Sequence, residues 1–179
     1  MKIEAIPYQP VIPAGRFTLR PVRNSDAGLL RLHTSDRRVA EATRSIPHPL
    51  PPGATEAFIA RAQADGREED VWILDGAAQG SAEVLGVIGL RRMDRAQSQI
   101  GYWIAPAFWN GGLASEAVEA LLEADPHEAR TIFAEVFQDN TVSARVLTNC
   151  GFEYLGDAEA YSVARAATVP TWTYLRRMA

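Results

Sequence analysis

The groups in this sequence best suited to chemistry belong to the backbone, at Asn110-Gly111-Gly112-Leu113-Ala114. A glycine pair there stands between an apolar run ending at Ile104 and a stretch of strong helix formers. At a helix start the first four N–H groups have no intrahelical partner and the macrodipole is positive, so an anion can be held without a lysine. Gly111 and Gly112 let the chain turn and approach a bulky phosphate closely. The same letters also suit a plain strand–glycine–helix turn. No lysine followed by Ser or Thr trails the glycines and the Rossmann glycine spacing is absent, which sets two other phosphate motifs aside.

Other reactive side chains are sparse. Cys150 is the one cysteine, without a basic neighbour, and reads as an inert, partly buried thiol. The three histidines have no Cys or acidic neighbours at ligand spacing, so no metal is expected. Arg91-Arg92 with Arg95 reads as a solvated turn, the competing reading being contact with a phosphate. Trp72 and Trp172 read as core, whereas Trp103 and Trp109 flank the glycine loop.

The elements that must position these groups follow from periodicity and punctuation. Phe17-Thr18-Leu19-Arg20 alternates as a strand, and Asn24-Ser25-Asp26 supplies caps for a short helix through Leu32. Ile46 to Gly53 carries four prolines and must be a loop. Thr55 to Ala62 reads as a helix and Val71 to Leu74 as a strand. Val84–Leu90 and Gln99–Ile104 read as neighbouring antiparallel strands around the turn Asp94-Arg95-Ala96. A helix follows Gly112, with apolar positions at Ala117, Val118, Leu121 and Leu122. Ile132–Phe137 is a strand, and Thr141–Asn149 a helix capped by Asn140 and closed by Gly151. Phe152–Leu155 and Thr171–Leu175 complete the strands. The mixture predicts an α+β class with a mostly antiparallel sheet.

A chain of 179 residues suits one domain, expected at 16–179 after an N-terminal leader at 1–15. With 47% hydrophobic and 22% charged residues it is an ordinary globular composition. A net charge of -4 gives no field to recruit nucleic acid or an anionic membrane, and mildly suits a cationic acceptor. The short apolar runs and the start Met1-Lys2-Ile3-Glu4-Ala5 predict a cytoplasmic protein.

Ile100 through Ala117 resembles the acetyl-CoA signature of the GCN5-related N-acetyltransferase (GNAT) superfamily. The branch resembled is the RimJ/RimL-like one, which acetylates ribosomal-protein N-termini. Further similarity lies at Phe17–Pro21 with Asp26-Ala27, at Val87–Leu90, and from Asn140 through Phe152. This resemblance implies a curved sheet splayed between its fourth and fifth strands, with acetyl-CoA as co-substrate, a peptide or small-molecule amine as acceptor, and a homodimer as one possible assembly. It further implies that pantetheine pairs with Gly101–Ile104, that an amide near Trp103 or Ile104 meets the thioester oxygen, and that the pyrophosphate rests on Asn110, Gly111, Gly112, Leu113, Ala114 and Ser115. On the same grounds Asn140 contacts the pantetheine arm and Ser143 stands near the cofactor sulfur as the catalytic acid.

Related sequences often carry a glutamate where this one has Gln99, which cannot accept a proton at neutral pH. Glu135, Asp139, Glu83 and His48 are the remaining candidate bases, with deprotonation relayed through water the preferred route. Gln99 also motivates a different reading, a non-catalytic acyl-CoA-binding or regulatory module.

Overall fold

The computed structural model describes residues 8–179. Its strands are β1 (Ile12–Pro13), β2 (Thr18–Pro21), β3 (Glu69–Asp75), β4 (Gly86–Met93), β5 (Gln97–Ile104), β6 (Thr131–Phe137), β7 (Glu153–Ser162) and β8 (Ala167–Arg177). They form a sheet in the order β1-β2-β3-β4-β5-β6-β8-β7. Pairing is antiparallel except between β5 and β6. The helices are α1 (Ala27–Thr34), α2 (Arg37–Ala42), α3 (Ala54–Gln63), α4 (Leu113–Ala124) and α5 (Thr141–Asn149).

Strand alternation sends side chains to two covered faces. Trp72, Leu74, Ile88, Leu90 and Ile100 meet Ala117, Val118, Leu121 and Leu147 of α4 and α5. On the other face Val71, Ile73 and Val87 meet Leu30, Ile59 and Ala62 of α1 and α3. Strands covered on both sides are apolar at consecutive positions, which is why β3 and β4 read as unbroken runs.

Three parts differ from the sequence reading. Residues 1–7 of the expected leader lie outside the described residues, while Ile12 is buried and pairs with Leu19. Pro10 and Gln9 are also tied in, accepting from Trp72 Nε1 at 2.8 Å and donating to the Val71 carbonyl at 2.7 Å respectively. Arg37–Ala42 is a second short helix, capped by Asp36, whose Oδ1 accepts from the Arg38 amide. The C-terminal strands are far longer than the four and five residues expected, at 10 and 11 residues. β7 is an outer strand exposed along most of its length, so Gly156, Asp157 and Glu159 give it no apolar alternation to read.

A buried polar cluster locks the end of the sheet where β5 and β6 are paired. Asp70 accepts from Arg67 at 2.8 Å and Arg92 at 2.6 Å, and its Oδ2 lies 2.8 Å from His127 Nε2. Ser98 Oγ lies 2.9 Å from His127 Nδ1. The trio has the residue types of a hydrolase triad, but Ser98 is 2% exposed and the carboxylate is shared with two guanidinium groups. It serves the fold: it fastens the α4–β6 loop to β3 and β5.

Candidate active site

The opening in the sheet is defined by where pairing stops. β5 and β6 pair from Gln97–Thr131 to Ile100–Ala134 and no further. β5 continues against β4 as far as Ile104, and β6 against β8 as far as Phe137. Gly101–Ile104 and Glu135–Phe137 therefore face each other unpaired. Because β1 was not read as a strand, these are the fourth and fifth of the strands read from sequence. The Ala105 amide donates to the Leu85 carbonyl at 2.9 Å, on the β4 side. Alternation then turns the Trp103 amide to β4 and those of Tyr102 and Ile104 into the opening. The Ile104 carbonyl accepts from Trp109 Nε1 at 2.7 Å, which pins the turn Pro106–Phe108 against the strand end.

That turn delivers the chain to α4. Asn110 and Gly112 both adopt positive φ, 65° and 77°. Gly111 does not, so its contribution is space: a Cβ there would meet only the Phe108 carbonyl at 3.7 Å and Arg16 Nη1 at 4.0 Å. The first helical bond runs from the Glu116 amide to the Gly112 carbonyl, 3.2 Å, leaving the Leu113, Ala114 and Ser115 amides without helix acceptors. Arg16 stands at the rim of this cradle. Its amide and Nε bond both oxygens of Glu116, at 2.8 and 2.7 Å, and Nη2 lies 3.5 Å from the place a Gly112 Cβ would take. Arg16 was not a sequence candidate, because only the fold brings it across 100 positions to α4. A cavity of about 420 Å³ lies here, lined by Arg16, Leu85, Phe108, Trp109 and Leu113 among others.

On the β6 side, Asn140 Oδ1 accepts from the Ser143 amide at 3.2 Å, so Asn140 caps α5 and keeps its Nδ2 for another partner. Ser143 is half-buried on the first turn of α5. The Tyr102 hydroxyl spans from β5 to donate to the Ser143 carbonyl at 3.2 Å. Burial pushes the Tyr102 phenol well above its ordinary value, so it stays a proton donor. Cys150 is buried, which raises its thiol, and the Glu119 charge adds to the rise.

A larger cavity, about 670 Å³, lies on the α1/α3 face and reaches the opening at Gly101, Tyr102 and Trp103. Its floor is glycine: Gly89 pairs with Gly101, and a Cβ on Gly101 would meet nothing within 4 Å. Glu135 lines it from β6; its Oε1 is buried without a hydrogen bond, though Arg44 Nη1 lies 3.3 Å away. Glu69 lines it from β3, its carboxyl raised by burial against the pull of Arg91 and Arg61. Of the candidate bases read from sequence, Glu135 and none of Asp139, Glu83 or His48 lines this cavity. Asp139 is exposed and paired with Arg165, and Glu83 is exposed. Glu69 escaped the reading because it sits just outside the apolar stretch that marked β3. Arg91, read as part of a solvated turn, lies on β4, exposed and among the residues that line the cavity, while Arg92 pairs with Asp70.

Residues 16–153 match the acetyltransferase (GNAT) domain family. An uncharacterized N-acetyltransferase p20 of Bacillus licheniformis is 26% identical over 174 residues, covering 89% of this chain and 91% of that protein. A GNAT-family acetyltransferase from Bacillus anthracis superposes with a TM-score of 0.77 at 23% identity, covering 94% of this chain and 99% of the other. RimL, a ribosomal L7/L12 alpha-N-protein acetyltransferase solved with coenzyme A, superposes with a TM-score of 0.79 at 17% identity, covering 94% and 98%. These superpositions speak for the fold. The match across most of the chain, on a sheet that opens beside the start of α4, makes this protein a member of the GNAT acetyltransferase family.

Proposed function

We propose that the protein moves an acetyl group from acetyl-CoA to a primary amine by direct attack in a ternary complex, within residues 16–179 and in the cytoplasm. The observation that carries this reading is the unpaired edge of β5 at Ile104 beside three free amides at the start of α4. The Leu113, Ala114 and Ser115 amides, with Arg16, suit a pyrophosphate. Asn140 Nδ2 and the β5 edge suit the amide-bearing arm that leads from it to the thioester.

Three chemical demands then fall to named groups. The Ile104 amide donates to the thioester oxygen as it gains charge. Glu135, whose Oε1 faces Arg44 Nη1 at 3.3 Å without a formed hydrogen bond, receives the ammonium and passes its proton to water, a role Gln99 cannot fill. As the nitrogen lone pair forms the new C–N bond the C–S bond breaks; Ser143 supplies a proton to the departing sulfur and is restored by the proton that the acylated nitrogen gives up. An N-terminal amine, with a pKa of roughly 7.7–8.0, needs less of this help than a lysine-like one.

Calorimetry with acetyl-CoA, paired with thiol release across N-terminal peptides, amino acids, polyamines and aminoglycosides, tests the proposal. Binding with release for at least one amine supports it. Binding with no release from any class favours the second reading, the acyl-CoA-binding module that Gln99 suggests.

A further inference from the structure

The charges around the larger cavity do not match the acidity of the whole chain. Glu69 and Glu135 line it together with Arg44, Arg61 and Arg91, one more cation than anion. Arg44 is spoken for by Glu135. Arg61 and Arg91 have no ion pair or side-chain hydrogen bond among the described residues, although Arg16, Arg20, Arg31, Arg38, Arg67, Arg92 and Arg165 are all paired. Glu69, opposite Arg91 on the neighbouring strand, attracts both without forming an ion pair, and one carboxylate leaves an excess positive charge at two guanidinium groups. Two exposed guanidinium forks thus stand at the border of a cavity of about 670 Å³ with no ion pair or hydrogen bond of their own among the described residues.

Register fixes where they stand relative to the opening. Glu69, Arg91 and Gln99 form one row across β3, β4 and β5, and Val71, Gly89 and Gly101 form the next row on the same face. Gly101 borders the gap across which Glu135 lies. Arg91 is one strand over and two residues along from Gly101, roughly 8 Å at the backbone. Arg61 reaches the same end from α3. Between the two ends Gly89 and Gly101 contribute no side chain of their own; the Glu69 carboxyl lies over Gly89, 3.2 Å from where a Cβ would stand, and the space over Gly101 is open. The cavity has a carboxylate, Glu135, beside the opening, and at its other end two guanidinium groups with the single carboxylate Glu69 beside them, a net positive pole.

We infer that the acceptor is an amine that also carries an anionic group, its nitrogen held near Glu135 and its carboxylate or phosphate held by Arg61 and Arg91. This rests on the proposed function for where the amine sits. A polyamine would place its second cation against the guanidinium pole, where like charges repel. A charge-assisted bidentate contact discriminates an anion from its neutral isostere by roughly 10- to 100-fold.

The test uses the full chain loaded with CoA and measures calorimetric binding of matched product pairs. N-acetylglutamate is compared with N-acetylglutamine, and the acetylated tripeptide amide Ser-Asp-Ala with Ser-Asn-Ala, so that free amino acids and peptide termini are distinguished. The expected result is at least ~10-fold preference for the anionic member of one pair. That preference should shrink to within about twofold in Arg61→Gln/Arg91→Gln, with acetyl-CoA affinity measured alongside to show the cradle is folded. Equal binding within both pairs overturns the inference, as does a preference that survives the double substitution. Anion preference without thiol release from any amine would overturn the catalytic reading and leave the cavity assignment standing, so the two fail separately.

Discussion

Two contacts of its own backbone hold Ser143 in place: its amide bonds Asn140 Oδ1 and its carbonyl accepts from Tyr102. Its hydroxyl can be removed without disturbing either contact. We expect Ser143→Ala to lower kcat by about 10- to 100-fold while the acetyl-CoA dissociation constant stays within about twofold, the pattern of a lost proton donor. Rapid-quench and steady-state kinetics check it; an unchanged kcat would remove Ser143 from the chemistry. Asn140 and Ser143 were legible because capping is local and its letters lie three residues apart. Arg16 and Glu69 were not, since one becomes relevant only when the turn between β1 and β2 lies beside α4 and the other only when the register sets it over Gly89. The proposed thioester donor was half legible: the resemblance narrows it to two neighbouring amides, and the Ala105–Leu85 bond favours Ile104 over Trp103 by turning the Trp103 amide to β4.

Among the elements, β4 and β5 act as one unit, and Gly86 is where they come closest. A Cβ on Gly86 would lie 2.4 Å from the Trp103 carbonyl oxygen and 3.0 Å from Ile104 Cα. Backbone atoms cannot swing aside as a flexible side chain does, so Gly86→Ala must push β5 away from β4. We expect a loss of about 1–3 kcal/mol in stability and, because Ile104 is displaced, a fall in kcat larger than the fall in acetyl-CoA affinity. Thermal denaturation with kinetics on the same preparation reads both, and a wild-type melting temperature would show that the strands have slack. Elements with a cap, a turn or a long apolar run, such as α4, α5 and β6, could be bounded from the sequence. α2 was missed because six residues carry too little periodicity, and most of β7 because an exposed outer strand need not alternate.

For the whole molecule, acid sensitivity traces to buried carboxylates. Burial alone would raise Asp70, but hydrogen bonds from His127 and Arg92, with the charges of Arg92 and Arg67, outweigh it and hold the carboxyl below its ordinary value. Asp75 is lowered in the same way, with Arg20 and the Ala77 amide outweighing its burial. A carboxyl depressed on folding stabilises fully above its unfolded pKa of roughly 3.9 and loses that contribution as pH falls from there through the lower folded value. Asp70→Asn leaves Arg67 and Arg92 facing a neutral group, which we expect to cost about 3–5 kcal/mol at pH 7. Urea unfolding from pH 7 to pH 3 should show the two proteins far apart at neutrality and converging below about pH 4. Parallel curves would assign the acid loss elsewhere. This cluster was invisible in the sequence, where His127, Asp70 and Ser98 share no spacing.

The two faces of the sheet have different exposure to mutation over evolutionary time. Donor binding on the proposed reading relies on amides at Ile104 and Leu113–Ser115, which persist under most substitutions. The cavity proposed for the acceptor is walled by side chains of α3, β3 and β4 and by segments that Arg165 fastens together through the Glu41 carbonyl, at 2.8 and 3.0 Å, and Asp139. A descendant of this gene could therefore exchange Arg61, Arg91 or Glu69 and acquire a new amine while inheriting its acetyl source intact. Within a lineage built on this scaffold, acceptor choice would diverge quickly and donor choice hardly at all.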